Sequence, residues 1–373
     1  TSMALTTVRP QGMGFNTGRR NLIINGAMNV AQRATSVTGL GSSNGAAVNT
    51  VDRVNLTFVG STAGRITSAQ VADVHDGFAN ALKLSCTTAD TSIGADEAAI
   101  IQYKIEGQDL QQLKKGTSSA EPVTVSFYVK GNASATYTLE LEDVDNSRFN
   151  SQEFSVTTDW TRVTKTFTGD TTGALVDDNG HSLNINIWLH AGSSYTGGTH
   201  VSNTWGTTTN VRVADNQTSI LDATSRTFFI TGLQMELGEN VSDFEHRSFA
   251  EELALCKRYY YQLIGNNIID NSDATHSHMG QGMNYNAAYV FYTGFPTVEM
   301  RATPTLTQAT GTDYYAFRRN NAEDLFNGFI LGSYITPRAF TLEVNANVSG
   351  TAGHAGTIHS NNSAAAVAFD AEL

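Results

Sequence analysis

The feature that most constrains this chain is a series of segments in which apolar residues recur at every second position. In "PVTVSFYVKG", Val123, Val125, Phe127 and Val129 fall on one side, and Thr124, Ser126 and Tyr128 on the other. "ATYTLELED" repeats the pattern through Tyr137, Leu139 and Leu141, and "SLNINIWLH" through Leu183, Ile185, Ile187 and Leu189. "WTRVTKTFTG" follows it loosely, anchored by Val163 and Phe167. "RTFFITGLQMELGE" adds Phe228, Ile230, Leu233 and Met235, with a kink or bulge at Gly232 that shifts the register. A period of two is that of a strand with one face buried, since successive side chains point to opposite sides. Strands at this spacing, separated by Gly, Asn and Asp turns, indicate an all-β sandwich rather than a parallel sheet. One helical interruption is expected at "GQDLQQLKKG", where Leu110 and Leu113 lie one turn apart.

The period changes at "SFAEELALCKRYYYQ". Ser248 as N-cap with Glu251 three residues on is a capping box. Phe249, Leu253, Cys256 and Tyr260 then recur at helical spacing, as do Leu255 and Tyr259. The pattern predicts a connector helix of about four turns over 249–264. Beyond it the chain returns to β, with turns at Gly265-Asn266-Asn267, Gly280 to Gly282 and Asn320-Asn321.

Four regions follow. Residues 1–20 have no periodicity and form an arm; their glycines, from Gly12 to Gly18, lack the strand and helix that a phosphate loop needs. Residues 21–248 make the sandwich and are expected to fold alone. The helix is 249–264, and 265–373 is a C-terminal β-rich tip or oligomerisation domain. The sandwich region opens on "NLIINGAMNVAQR", two apolar runs around Asn25-Gly26, which reads as strand, turn and strand.

Composition narrows the partners. The formal net charge is −12 and the basic residues occur at most as pairs such as Arg318-Arg319, so nucleic-acid binding is not expected. Charged residues make up only 16%, against roughly 25% in an average soluble protein, so the polar surface is largely Thr, Ser, Asn and Gly. No apolar stretch has the length of a membrane span. No signal peptide is expected, and Thr1-Ser2 reads as a cloning scar before a start at Met3. Cys86 and Cys256 read as buried thiols.

Several clusters could carry chemistry. Glu142, Asp143, Asp145 and Asn146, or Asp177 and Asp178, could hold a structural calcium ion, could act as paired carboxylates on a sugar, or could simply line solvated turns. His276 and His278 could bring imidazoles together at an oligomer axis, or sit in a polar loop. No Ser-His-Asp order or nucleophile elbow appears, and no enzyme or resident cofactor is expected. The long Gly/Ser/Thr loop from His190 to Asn210 carries Tyr195, His200 and Trp205. These aromatic residues either stack on sugar rings, with neighbouring hydroxyls and amides binding the ligand, or pin the loop to the sandwich. Tyr314 and Tyr315 in "TDYYAFRRN" are the equivalent candidates in the last region, with an alternating strand in a subunit interface as the rival reading.

The order of segments then points to a family. "NLIINGAM", "VDRVN", "GFANALKLS", "VTVSFYVKG", "WTRVTKTF" and "FFITGLQMELGENVSDFEHRS" together resemble a jelly-roll carbohydrate-binding module. Their wording is similar to bacteriophage tail-fibre proteins, those of marine phages above all. "RYYYQ", "FPTVEMRATPTLT" and "VAFDAEL" extend the resemblance from about Asn21 to the last residues. It implies a virion protein of the phage tail, made in the host cytoplasm, homotrimeric, and attaching to host-surface glycan without enzymatic activity. It also implies that the arm, with Arg9, Arg19 and Arg20, attaches to other tail proteins. A depolymerase fibre and a purely structural virion component are the alternatives. Under this resemblance Asn21–Arg33 is the first sandwich strand, and Asp52-Arg53 an exposed local pair worth about 0–1 kcal/mol.

Overall fold

The computed structural model describes residues 19–48, 50–60, 63–265 and 277–373; Arg9, His276 and the arm up to residue 18 lie outside the described residues. Twelve strands build the first unit. They are β1 (Ser36–Leu40), β2 (Gly45–Val48), β3 (Val54–Val59), β4 (Arg65–Val71), β5 (Ala81–Thr88) and β6 (Ala98–Glu106). Then come β7 (Val123–Gly131), β8 (Ala135–Asp143), β9 (Arg148–Val156), β10 (Thr161–Phe167), β11 (His181–Ala191) and β12 (Thr227–Leu237). They form two six-stranded antiparallel sheets, ordered β1-β4-β5-β12-β7-β10 and β2-β3-β6-β11-β8-β9. The chain is all-β, and this unit is the expected jelly-roll sandwich.

The period-two residues meet between the sheets. Val125, Phe127, Leu139, Ile185, Phe228 and Met235 are all buried in one core. Replacing a wholly buried ring such as Phe127 with Ala costs about 3–5 kcal/mol. Gly232 has φ +64°, and the pairing of β12 with β7 shifts register there, as its sequence position predicted. Leu110 and Leu113 fall in two successive 3₁₀ turns and are buried.

Asn21–Arg33 is not a strand. Asn25 and Met28 adopt left-handed backbone (φ 61° and 57°), which breaks any ladder. The Asn25 side chain closes a local loop instead, accepting from Val30 N (2.9 Å) and donating to the carbonyls of Val30 (2.8 Å) and Asp52 (3.0 Å). Such side-chain bonds compete directly with sheet pairing. Ile23, Met28 and Val30 are still buried, which is why the apolar pattern looked like a strand. At Gly26 a Cβ would come within 2.0 Å of the Leu233 carbonyl oxygen, so only glycine lets the segment lie against β12.

Asp52 and Arg53 are likewise not an exposed pair. Both are buried in the turn before β3, where Arg53 adopts left-handed backbone (φ 72°), and each buried charge finds its own partners. Asp52 accepts from Gln32 N (2.9 Å) and Gln32 Nε2 (2.6 Å). Arg53 donates to the Lys104 carbonyl (2.7 Å) and pairs with Glu372.

The helix is shorter than its spacing predicted. It runs Phe249–Lys257, with the Ser248 hydroxyl accepting from Glu251 N at 3.3 Å. Tyr260–Ile264 is a strand (β13), because the tyrosine-rich run pairs with residues more than a hundred positions away. Aromatic residues favour strands, and tertiary pairing overrides the helical spacing here.

The second unit continues with β14 (His278–Asn286), β15 (Tyr289–Gly294), β16 (Thr305–Gln308), β17 (Tyr315–Arg319) and β18 (Ala322–Phe326). It ends with β19 (Ile330–Leu331), β20 (Phe340–Val344), β21 (Ala355–Ser360) and β22 (Val367–Asp370). A three-stranded sheet, β13-β22-β16, packs with a seven-stranded one, β18-β17-β21-β14-β15-β20-β19. Phe317, Phe340, Leu342 and Phe369 lie in the core between them.

The last residues return to the sandwich. Asp370 and Glu372 accept from Arg33 Nη2 (3.1 and 3.4 Å), and Lys104 Nζ donates to the Leu373 carbonyl (2.6 Å).

Candidate functional site

Alternation gives every sandwich strand an outer set of side chains. On the β3-β6-β11-β8-β9 side the register aligns five of them in one cross-strand row: Asn55, Gln102, Asn186, Glu140 and Ser151. A second row runs Lys104, Asn184, Glu142 and Phe149. A third runs Thr57, Ile100, Trp188 and Thr138. The outer side of this sheet is therefore rich in amides and carboxylates, most of them buried beneath the segments that cross it.

These groups form one network. Gln102 Nε2 donates to Asn186 Oδ1 at 3.1 Å, and Asn186 Nδ2 to Glu140 (2.9 Å) and Glu142 (2.8 Å). Asn184 Nδ2 donates to Glu142 at 3.0 Å, and Trp188 Nε1 to Glu140 at 3.0 Å. Arg212 grips Glu140 with Nε and Nη2, both at 2.7 Å, while its guanidinium covers the ring of Phe149. Burial pushes the Glu142 carboxyl up, but Arg212, Asn184 and Asn186 outweigh it and hold the group below the usual carboxylate range. At the other end burial, together with Arg53 and Arg301, pushes the Lys104 ammonium down.

Among the described residues three atoms of these rows have no partner: Asn55 Nδ2, a donor, Asn184 Oδ1, an acceptor, and the Thr138 hydroxyl. All three residues are buried, and a buried polar group without a partner costs about 1–3 kcal/mol.

The loop after β11 crosses the far side of this face. Tyr195, in a single helical turn (Ser193–Thr196), packs on Trp188 with ring centroids 4.9 Å apart. His200 Nε2 is 3.0 Å from Ser151 Oγ, at the end of the middle row. Trp205 turns away to the sandwich edge. Its Nε1 donates to the Thr168 carbonyl at 2.7 Å, Lys115 sits over its ring, and the ring packs on the core. Of the two roles open to Trp205, this geometry is that of a loop anchor.

The other candidates fall elsewhere. Tyr315 is wholly buried, its hydroxyl bonded to the carbonyls of Ala309 (2.7 Å) and Ala366 (2.8 Å). No face of that ring can meet a sugar, because its strand alternates Tyr315, Phe317 and Arg319 into the core. Tyr314 is half-buried against the same core. His278 begins β14, with His359 beside it at 5.6 Å between ring centroids. Arg19 pairs with Glu251, and Arg20 N donates to Glu245 at 2.9 Å. Asp143 pairs with Lys115, and Asp145 accepts from Val176 N at 2.8 Å. Among the described residues no group of three or more His, Cys, Asp and Glu is arranged to hold a metal ion.

The chain matches no family model and no curated protein. Among solved structures it is similar to a CBM4 carbohydrate-binding module (TM-score 0.30, 14% identity, 57% of this chain and 97% of that one). It is similar also to the CBM22-1 xylan-binding domain of Paenibacillus barcinonensis Xyn10C (TM-score 0.27, 14% identity, 57% and 100%). The enzymatically active domain of bacteriophage CBA120 tailspike protein 4 is another (TM-score 0.28, 11% identity, 58% and 21%).

Proposed function

We propose that this chain is a non-enzymatic attachment protein of a bacteriophage tail that recognises host-surface glycan on the outer face of its sandwich. The observation that carries the reading is the pair of adjacent cross-strand rows, Asn55-Gln102-Asn186-Glu140-Ser151 and Lys104-Asn184-Glu142-Phe149, which line up amides and carboxylates on one side of the sheet. Sugar hydroxyls, each both donor and acceptor, match the alternation of amides and carboxylates along these rows, and a rigid sheet holds them without a further cost in order. Tyr195 and His200 close one end of the face through Trp188 and Ser151. A depolymerase would need a carboxyl able to act as acid, a role that the lowered Glu142 carboxyl does not suit.

The virion role rests on the sequence resemblance. In that role the chain is a homotrimer, and Arg9, Arg19 and Arg20 belong to an arm that engages other tail proteins. Tyr314, the more accessible of the two tyrosines beside β17, contributes to glycan contact at most at the margin of its own unit.

The test is glycan binding by the intact chain and by Asn55→Ala/Asn184→Ala. The expected result is binding without release of reducing ends, weakened about tenfold or more in the variant. Equal binding by the variant sinks the assignment of the face, and sugar release sinks the non-enzymatic reading. For the arm, particles are grown with residues 4–18 deleted. Normal incorporation of a folded, truncated chain would rule out attachment through it.

A further inference from the structure

The second unit carries a cleft that none of the foregoing uses. It has a volume of about 1030 Å³, and its floor is the outer side of β14, β15 and β20. Along β15, Val290 and Tyr292 point into the core, while Tyr289 and Phe291 point out into the cleft. A sheet with one buried face has no packing need for aromatic residues on the other. Here Tyr285 is 68% exposed and Tyr334, on the opposite wall, 83% exposed. Tyr285 meets Tyr289 and Phe291 at 5.9 and 6.3 Å between centroids, edge-on or tilted, so that ring faces remain turned to solvent.

Between the rings lie groups that bind hydroxyls: Asn286, Thr293, Ser333 and Thr341. The cleft's one carboxylate is Glu343; burial and its hydrogen bond to Glu343 push the Tyr289 phenol up to about 12. Among the described residues no Lys or Arg lines the cleft. An anionic ligand would therefore meet a carboxylate and no counter-charge. A neutral ligand with polarised C–H faces and many hydroxyls fits both sets of groups, because aromatic faces carry negative quadrupole density. The volume is at the upper end of ligand sites and accommodates several sugar units.

A second copy of this chain suits the surface less well. Beyond the cleft the apolar surface of the sheet extends only to Met283, opposite Phe291, and Ile330, opposite Glu343. The next row of the sheet runs Arg318, Thr357 and Gln281, and the exposed Arg338–Glu299 pair lies beside the far wall.

We propose that this cleft is a second carbohydrate site, specific for neutral oligosaccharide, with Tyr285 and Tyr334 as its stacking platforms. It goes beyond the sandwich reading and stands whether or not the sandwich face binds sugar.

The experiment titrates the full chain with neutral hexasaccharides of glucose, xylose, galactose and mannose. Binding is followed by calorimetry, tyrosine difference absorption and tryptophan fluorescence. Trp160, Trp188 and Trp205 all belong to the sandwich, so a ligand in the cleft perturbs tyrosine absorption and leaves tryptophan emission unchanged. Tyr285→Ala and Tyr334→Ala are each expected to weaken binding about tenfold, a stacking contact of about 1.4 kcal/mol. Tyr→Phe at either position is expected to keep most of the affinity, and Asn55→Ala/Asn184→Ala all of it. The proposal is overturned if no hexasaccharide binds, if the Ala variants bind like the parent, or if only tryptophan emission responds. It is also overturned if the Ala variants change the sedimentation coefficient, which would make the cleft a contact between copies.

Discussion

The guanidinium of Arg53 lies flat over the ring of Tyr259, 3.5 Å from its centroid, and so joins the start of β3 to the residue that follows the helix. Both side chains are wholly buried. The same Arg53 reaches Glu372, so three distant parts of the sequence meet on one cation.

Arg53→Ala is therefore expected to destabilise the chain by about 3–5 kcal/mol, since it leaves Glu372 without its closest cation and empties the space above Tyr259. Arg53→Lys keeps the charge but not the flat stack, and is expected to fall between. Urea unfolding midpoints decide it. A lysine variant as stable as the parent would show that the stack contributes nothing.

Residues 21–248 alone are expected to fold, because the sandwich core closes without help from the second unit. The fragment should nevertheless melt well below the full chain. Glu106 loses Arg258 (2.9 and 2.8 Å), Asn25 N loses Glu252 (2.6 Å) and Gln32 loses the Tyr260 carbonyl (2.8 Å). A drop of about 5 °C or more is expected at ~2–4 °C per kcal/mol. An unfolded fragment would refute its autonomy, and an unchanged melting temperature would refute the contribution of these ties.

His190 gives a pH dependence. Burial pushes its imidazole below the ordinary 6.5, against the opposing pull of Glu97 and Asp90. The unfolded chain then takes up the proton first as pH falls. The stability contributed by neutral His190 is complete above the unfolded value and is lost progressively below about pH 6.5. His190→Asn is expected to flatten the change in urea midpoint between about pH 7.5 and about pH 5.5. A slope identical to the parent's would assign the loss to other groups.

Trp205→Ala is expected to lower stability by about 1–3 kcal/mol through the lost Thr168 bond and core contact. Tyr195→Ala acts on the other end of the same loop, through Trp188. Calorimetric melting beside glycan adsorption separates the roles. Reduced adsorption by Trp205→Ala with unchanged melting would make that ring a ligand contact instead.

The strands were legible because burial on one face imposes a period that survives in the sequence, as at Val123, Val125, Phe127 and Val129. The amide row was not. Asn55, Gln102, Asn186 and Glu140 occupy the polar beats of four strands, and only the ladder register makes them neighbours. Asn184 and Asn186 in "SLNINIWLH" were the visible part of it, two amides on the solvent beat. The aromatic cleft left a similar trace in "NYNAAYVFYTGF", where both beats of one strand carry rings. Asn21–Arg33 misled in the opposite sense. Its apolar residues are buried, but the left-handed conformation of Asn25 and Met28 has no signature in an apolar pattern.

The way the last residues fold back has a mechanical consequence. Glu372 and Asp370 hold Arg33 and Arg53, and Arg258 holds Glu106, so tension applied between the two units would not be borne by the short helix alone. Tyr259 touches both Arg53 and Glu106, so these ties form one connected cluster and would share the force instead of yielding one after another.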